Sequence, residues 1–316
     1  MRGWLAFVIG AIAVVSLGAL LPRLSTNAYI LYAGFTVLQY VAIATGWNIL
    51  GGYAGYVNFG SSAFLGAGVY TAAFAAAAVG APLLSQIVFA AIIGGCLGLA
   101  MGYLTLRIQG VYFSIATLAL TVVLNTLVVN WAYVGGARGI SVIAPAPGFW
   151  FPTAVGYVFF AMVVVAVLSL GLARWIERSW IGRGLAAIRA DEVAAECAGV
   201  PTLRLKLLAA TISGAVIAMA GAPYPYYASY VDPNSVFSIS FALNALAMPL
   251  IGGTRSWIGP VVGALLLSAI EQLALVTVSA ELNLLVVGLT LIGFVIAAPG
   301  GLLGLAQYWL TPKGRR

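Results

Sequence analysis

The chain contains no histidine and little charge: of its 316 residues, 14 are Lys or Arg and 7 are Asp or Glu. It therefore lacks the commonest general base and the commonest metal ligand. It also lacks a G-x-x-x-x-G-K-[ST] phosphate loop, so we do not expect it to bind ATP in the usual way. No group of residues has catalytic or metal-ligand spacing. The sequence thus predicts a protein that is not itself an enzyme and that needs no metal or cofactor.

The scarcity of charge also indicates whether water or lipid surrounds the protein. Hydrophobic residues make up 63% of the chain and charged residues 7%, whereas a soluble globular protein has about 25% charged residues. Lipid must therefore surround most of the chain. A β-barrel would alternate apolar and polar residues, but this chain has long continuous apolar runs, which predict helices. Its formal net charge is +7, and the charges lie between the apolar runs, which indicates membrane topology and not nucleic-acid binding.

The apolar runs predict an all-α membrane protein, a polytopic helical bundle of about ten spans with one or two broken helices, in a single domain over residues 1–316. The expected spans cover residues 4–21, 28–50, 61–80, 83–105, 111–133, 153–173, 207–226, 238–251, 257–278 and 282–298. The first apolar run is longer than the core of a typical signal peptide. We therefore expect a retained first span, and a cleaved signal peptide is the alternative.

The basic residues predict the orientation of these spans. With the N-terminus inside, twelve of the 14 Lys and Arg residues face the cytoplasm and two face outward. The inner set is Arg2, Arg107, Arg174, Arg178, Arg183, Arg189, Arg204, Lys206, Arg255, Lys313, Arg315 and Arg316, and the outer set is Arg23 and Arg138. Because cytoplasmic loops are enriched in Lys and Arg, we expect both termini and the 174–206 loop in the cytoplasm.

Small residues repeat at every fourth position on two of the spans. Gly94, Gly98 and Gly102 do so on the fourth span, and Ala210, Gly214, Ala218 and Ala222 on the seventh. Such stripes let helix backbones approach closely in lipid. We interpret them as ordinary helix packing. Cys96 lies in an apolar run and Cys197 in the charged stretch, so no disulfide is expected.

Two segments interrupt the helical pattern. The first, GWNILGGYAGYVNFGSSAFLGAG at 46–68, is rich in glycine, and the second, at 238–260, contains Asn244 and Pro249. Irregular backbone beside apolar spans needs protein or a watery cavity around it, and broken helices supply substrate sites in transporters. The alternative for the first segment is a plain cytoplasmic turn. Glu271 either faces the pathway or reaches the outer headgroups. The candidate translocation-path residues are Gly55, Asn58, Ser61, Ser62, Asn244 and Glu271.

Nearly half of the charge is concentrated in one stretch. Ten of the 21 charged residues lie between residues 174 and 206. Helix-favouring residues after Gly182 predict a short helix near 183–198, capped by Gly199. Arg189 and Glu192 can pair at i,i+3. A helix rich in small side chains and edged with charge fits a groove on a partner, although a solvated interfacial helix is the alternative. The candidate coupling residues are Gly182, Arg183, Ala187, Arg189, Asp191, Glu192, Ala194 and Gly199.

Taken together, these segments resemble the permease subunits of branched-chain amino acid ABC importers of the LivM type. The segments that carry the resemblance are GWNILGGYAGYVNFGSSAFLGAGVYTAA at 46–73, LRIQGVYFSIATLAL at 106–120, SWIGRGLAAIRADEVAAECAGV at 179–200 and DPNSVFSISFALNALAMPLIGGTRSWIGPVVGALL at 232–266. The resemblance covers roughly residues 30 to 300, in order. The chain departs from the family at Ser61, which follows Phe59-Gly60 where members often have histidine.

The resemblance implies a set of partners and a location. Two homologous permeases would form the pore, two cytoplasmic ATPases would drive it, and a periplasmic protein would deliver a branched-chain or related amino acid or amide. The chain would lie in the bacterial inner membrane, in contact with lipid and not with nucleic acid. Hydrolysis on another chain agrees with the missing phosphate loop. A self-contained secondary transporter of small polar solutes is the alternative, but it would need ion-binding groups in the membrane, and the sequence offers little beyond Glu271.

Overall fold

The computed structural model describes residues 2–24, 27–108, 110–143, 150–277, 280–297 and 300–310. Within these ranges the protein is a helical bundle with one two-stranded antiparallel sheet of very short strands. The helices are α1 (Arg2–Leu24), α2 (Ala28–Leu50), α3 (Ser61–Val79), α4 (Leu83–Thr105), α5 (Val111–Val129), α6 (Ala154–Arg178), α7 (Trp180–Ala190), α8 (Glu192–Cys197), α9 (Thr202–Gly221), α10 (Tyr224–Ala228), α11 (Pro233–Val236), α12 (Ile239–Gly252), α13 (Gly259–Thr277), α14 (Ala280–Ala297) and α15 (Gly301–Leu310). The strands are β1 (Ile140–Ser141) and β2 (Tyr230–Val231).

The helical membrane fold predicted from composition is confirmed. Among the described residues, eight helical stretches are long and apolar enough to cross a membrane. They correspond to the first eight predicted spans, the seventh and eighth including the short helices α10 and α11. The ninth and tenth predicted spans coincide with helices α13 and α14. The apolar stretch found in α13, Gly259–Leu273, is shorter than the other eight.

Two predicted boundaries around the charged loop are wrong. Helix α6 continues through Arg178, and α9 begins at Thr202, so the connection between them is shorter than residues 174–206. Arg174 and Lys206 are buried helical residues, with 6% and 4% of their surface exposed. The Arg174 guanidinium lies over the rings of Phe7 and Trp257, and such aromatic contacts let a helix carry an arginine without ending.

The small-residue stripes bring helices α4 and α9 into close contact. A Cβ atom added to Gly94 would lie 2.5 Å from the carbonyl oxygen of Gly214, and one added to Gly98 would lie 2.4 Å from that of Ala210. These distances are too short for any side chain, so the backbones of α4 and α9 touch directly. The prediction that the stripes serve helix packing is confirmed. In lipid, this close packing is a principal force that holds helices together.

Helix α2 occupies the centre of the bundle, whereas α1 lies at its edge. Every residue of α2 from Val41 to Leu50 is buried, and the helix packs on α6, α9, α12 and α13. Helix α1 packs mainly on α6 and exposes large apolar side chains such as Leu5, Ile9 and Ile12. Exposed apolar residues on a span are those that lipid would cover.

The loops sort into two sets at opposite ends of the bundle. At one end Arg23 donates to the carbonyl oxygen of Trp150, and strands β1 and β2 pair. At the other end the backbone N–H of Trp257 donates to Glu177, and Arg189 donates to Thr254. These two sets are the ones that the predicted alternation of spans requires. Lys313, Arg315 and Arg316, which contributed to the predicted orientation, lie outside the described residues.

Candidate functional site

The charged segment forms two helices, α7 and α8, and not the single helix predicted near 183–198. The Ser179 hydroxyl caps α7 by accepting hydrogen bonds from the N–H groups of Ile181 and Gly182. Asp191 is extended, with φ −161° and ψ 113°, and its carboxylate accepts the N–H of Ala194. Aspartate favours such a cap over a helix interior, so the break follows from the residue itself.

Arg189, at the end of α7, holds the segment against the body of the protein. It donates to the carbonyl oxygen of Gly52 and, at 3.2 Å, to the hydroxyl of Thr254. The predicted pair between Arg189 and Glu192 is therefore wrong, because the break at Asp191 separates the two side chains and each has a long-range partner. Partial burial of the guanidinium against the protein and the neighbouring Arg255 lower the pKa of Arg189, although much of the residue is exposed.

Glu192, at the start of α8, makes the second attachment. One carboxylate oxygen accepts from Lys206 Nζ at 2.5 Å, and the other accepts the hydroxyl of Tyr56. Burial raises the pKa of Glu192, but the hydrogen bonds from Lys206 and Tyr56 outweigh it, so the pKa lies below its ordinary value. Burial and the bond to Glu192 raise the pKa of the Tyr56 hydroxyl. The carboxylate is thus held in its charged form.

Lys206 completes a cluster that we call the lysine latch, formed by Tyr56, Glu192, Lys206 and the carbonyl group of Leu106. Besides Glu192, the ammonium group of Lys206 donates to Tyr56 at 3.1 Å and to the carbonyl oxygen of Leu106 at 3.0 Å. An ammonium group has three donors, so all three are used. In the sequence, Lys206 contributes only to the predicted topology and Tyr56 carries no prediction, because no local pattern indicates that the two side chains meet.

The glycine-rich segment 51–60 is a connection between α2 and α3 whose backbone is sheltered by protein. The indole N–H of Trp47 donates to the carbonyl oxygen of Asn58, and the N–H of Gly60 donates to the Asn58 side chain. The N–H of Phe59 donates to Thr117 on α5. Gly55 has a positive φ of 81°, and a Cβ there would lie 3.1 Å from Arg189. The segment therefore lies against α7.

The candidate path residues occupy two separate places. Asn58, Ser61 and Ser62 are fully enclosed within the chain, and among the described residues the Asn58 amide nitrogen and both serine hydroxyls have no hydrogen-bond partner. Asn244 and Glu271 meet elsewhere, between α12 and α13. The Asn244 amide donates to Glu271 at 2.8 Å and to the Tyr40 hydroxyl of α2 at 3.2 Å. Glu271 thus faces the protein interior in this structure, and not the outer headgroups.

The candidate coupling residues divide by exposure. Arg183, Asp191, Ala194 and Gly199 are exposed together with Arg189, whereas Ala187 and Glu192 are half-buried. Gly182 is buried, and a Cβ there would lie 2.3 Å from the carbonyl oxygen of Ile176, so its role is to let α7 turn closely against α6. Gly199 has φ +84° and ends α8 as predicted. The exposed members of this set lie on α7, on α8 and at the residues that bound α8.

The family described as "Branched-chain amino acid transport system / permease component" matches residues 29–295 of the chain. The high-affinity branched-chain amino acid transport system permease protein LivM of Escherichia coli K12 is 26% identical, over 96% of this chain and 76% of that protein. Its namesake from Salmonella typhimurium LT2 is 27% identical, over 87% of this chain and 70% of that protein. The autoinducer 2 import system permease protein LsrC of Enterobacter sp. 638 is 32% identical, over 46% of this chain and 43% of its own.

Proposed function

The chain belongs to the family of branched-chain amino acid transport system permease components, and from that premise we propose that it forms half of a translocation pore. A second homologous permease would supply the other half. Two ATPase subunits on separate chains would drive the pore, and a periplasmic binding protein would deliver the substrate. The substrate class is branched-chain or related small amino acids, as the names of the LivM relatives suggest.

The observation that carries the coupling role is the double attachment of α7 and α8 to segment 51–60. Arg189 holds the segment at Gly52, and Glu192 holds it at Tyr56. A docked ATPase that displaced α7 and α8 would therefore also displace the connection between α2 and α3. Because α2 is the central helix, that connection is a direct route from a docked ATPase to the bundle. Gly182 and Gly199 shape the helices, and Arg183, Ala187 and Ala194 would lie toward the partner.

The candidate path residues form two groups, which we assign separately. We propose that Asn244 and Glu271 border the pathway. A carboxyl group within a membrane span is energetically costly, and the ionisable residues that spans do contain mark substrate and ion pathways. Asn58, Ser61 and Ser62 have unpartnered polar atoms beside the coupling segment. They would contact the pathway only when α3 moves relative to α5, which is the motion that segment 51–60 is placed to transmit. Gly55 would act as the pivot next to Arg189.

Ala194→Trp tests the coupling role. Ala194 is exposed on α8, so tryptophan adds bulk at the proposed docking face without entering the core. We expect loss of ATPase co-purification and of substrate-stimulated hydrolysis, with the permease still folded. Ala137→Trp, at an exposed position on the opposite end, is the matched control. If Ala194→Trp retains ATPase co-purification and substrate-stimulated hydrolysis at the level of Ala137→Trp, the coupling role is wrong.

The orientation has its own test. We propose an inner-membrane protein with both termini in the cytoplasm, in keeping with the split of basic residues. A reporter fused at Ser179 should be active only when the reporter requires the cytoplasm. A reporter that requires the periplasm and is active at that site would reverse the topology.

A further inference from the structure

A small cavity of about 270 Å³ opens at the end of the bundle that carries α7 and α8. It lies between the end of α12, the turn at 253–256 and the start of α15. Its polar wall is formed by Arg189, Thr254, Arg255 and Ser256, and its apolar wall by Leu250 and Leu303. The glycines at 253, 300 and 304 leave the backbone open to the cavity.

The polar wall is strongly positive. Within the described part of the chain, no hydrogen bond or ion pair is formed by the Arg255 side chain. Arg189 directs two of its nitrogens to Gly52 and Thr254, neither of which carries a charge. The nearby Glu177 carboxylate lines the adjoining cavity with both arginines, but it accepts from Trp257 and Tyr53, and within the described residues it forms no ion pair with Arg189 or Arg255. The two guanidinium groups therefore repel each other. An anion placed between them would remove that repulsion.

The backbone of the turn adds hydrogen-bond donors to this charge. In the described structure the N–H groups of Thr254, Arg255 and Ser256 donate to no other residue. The Thr254 hydroxyl accepts from Arg189, so its own proton is free to be donated outward. Successive unpaired N–H groups beside basic side chains are the common design of protein sites for phosphate groups.

The apolar wall indicates the source of the phosphate. Leu250 belongs to the membrane-crossing stretch Pro233–Gly252 and has 37% of its surface exposed, and Leu303 belongs to α15. A free anion or an acidic side chain from another protein would leave these leucines uncovered. A phospholipid would place its phosphate on the arginines and its acyl chain along the leucines. We propose that this cavity binds the phosphate group of an anionic phospholipid, with Arg255 and Arg189 as its charged contacts.

Native mass spectrometry of the purified full chain tests the site. Phosphatidylglycerol and phosphatidylcholine with identical acyl chains are the probes, and glycerol 1-phosphate is the headgroup without chains. We expect tighter retention of phosphatidylglycerol than of phosphatidylcholine. Arg255→Gln should weaken phosphatidylglycerol retention roughly fivefold, the ratio equivalent to about 1 kcal/mol per arginine near a membrane surface. Arg255→Lys keeps the charge and should retain most of the binding.

Arg107→Gln is the control, because Arg107 is an exposed arginine in another loop, over the ring of Tyr103. It should bind phosphatidylglycerol like the wild type. The proposal is overturned if Arg255→Gln and Arg107→Gln behave alike, or if glycerol 1-phosphate displaces the lipid at equal concentration, which would identify a free-phosphate site. It is also overturned if Arg255 becomes protected from an arginine-modifying reagent only when an ATPase subunit is added, because a protein carboxylate would then be the occupant.

Discussion

Glu192→Gln removes one charge from the lysine latch while it preserves the shape of the side chain. Lys206 has only 4% of its surface exposed, so its ammonium group cannot turn to water. An isolated buried charge costs about 3–5 kcal/mol. The glutamine oxygen still accepts a hydrogen bond, and the bonds to Tyr56 and Leu106 remain. We therefore expect a smaller loss, about 1.5–3 kcal/mol, the net contribution of a hydrogen bond to a charged group.

The loss should appear as local opening of α8 and not as unfolding of the whole bundle, because the latch is the main polar tie between α8 and the other helices. Hydrogen exchange of the α8 amides measures it directly. An opening free energy lower by 1.5–3 kcal/mol accelerates exchange by a factor of about 10 to 150. The N–H groups of Ala198 and Val200, which bond within the segment, are suitable reporters.

Glu196→Gln is the matched control on the same helix. Glu196 is exposed and, within the described chain, forms no ion pair, so its substitution should change α8 exchange by less than a factor of about two or three. The double variant Glu192→Gln with Lys206→Met should be less destabilised than the sum of the single variants, because it leaves no unpaired charge. Equal exchange in Glu192→Gln and Glu196→Gln would refute the reasoning.

Three further predictions concern Glu192, Gly94 and Asp191. Because its pKa is lowered, Glu192 stabilises the fold fully above about pH 5; α8 protection, corrected for intrinsic exchange, should stay constant from pH 8 to that value and fall only in stronger acid. Gly94→Ala should disrupt the fold, since its Cβ would lie 2.2 Å from that of Ala218, while Gly95→Ala, with 3.6 Å to its nearest neighbour, should behave as wild type in thermal unfolding. Asp191→Ala removes the cap of α8 and should cost about 0.5–2 kcal/mol, seen as faster exchange at Ala194; unchanged exchange there would contradict the capping role.

The membrane fold was predictable because one local property, the length of apolar runs, decides where a helix can cross lipid. The packing role of the stripes at Gly94 and Gly214 was also predictable, since small residues repeated along a membrane helix are typical of close helix packing. The ends of α6 and α9 were not predictable. A charged residue predicts the end of a span, but Arg174 and Lys206 contact partners far along the chain, and the helices continue through them.

The candidate site was predicted in part. The position of the coupling segment and its cap at Gly199 followed from local signals. The break at Asp191 does not follow from the helix-favouring residues around it, because a single side chain forms the cap. Arg189 and Glu192 were paired with each other by spacing, but their partners, Gly52 and Lys206, are set by tertiary contacts that one sequence does not reveal. The contact between Asn244 and Glu271 could not be predicted either, because the two residues lie on different helices, α12 and α13.

The glycine contact between α4 and α9 makes these two helices a single strut. At Gly94 and Gly98 the atoms nearest to an added Cβ are the methyl group of Ala218 and backbone atoms of α9, so few side chains there could repack if the two helices slid. At one end of the pair Lys206 of α9 donates to Leu106, and at the other end Gln86 of α4 donates to Tyr226 of α10, the helix that follows α9. At 1.5 Å per residue the strut is about 30 Å long. We therefore expect α4, α9 and the adjoining α10 to move together when the latch is displaced.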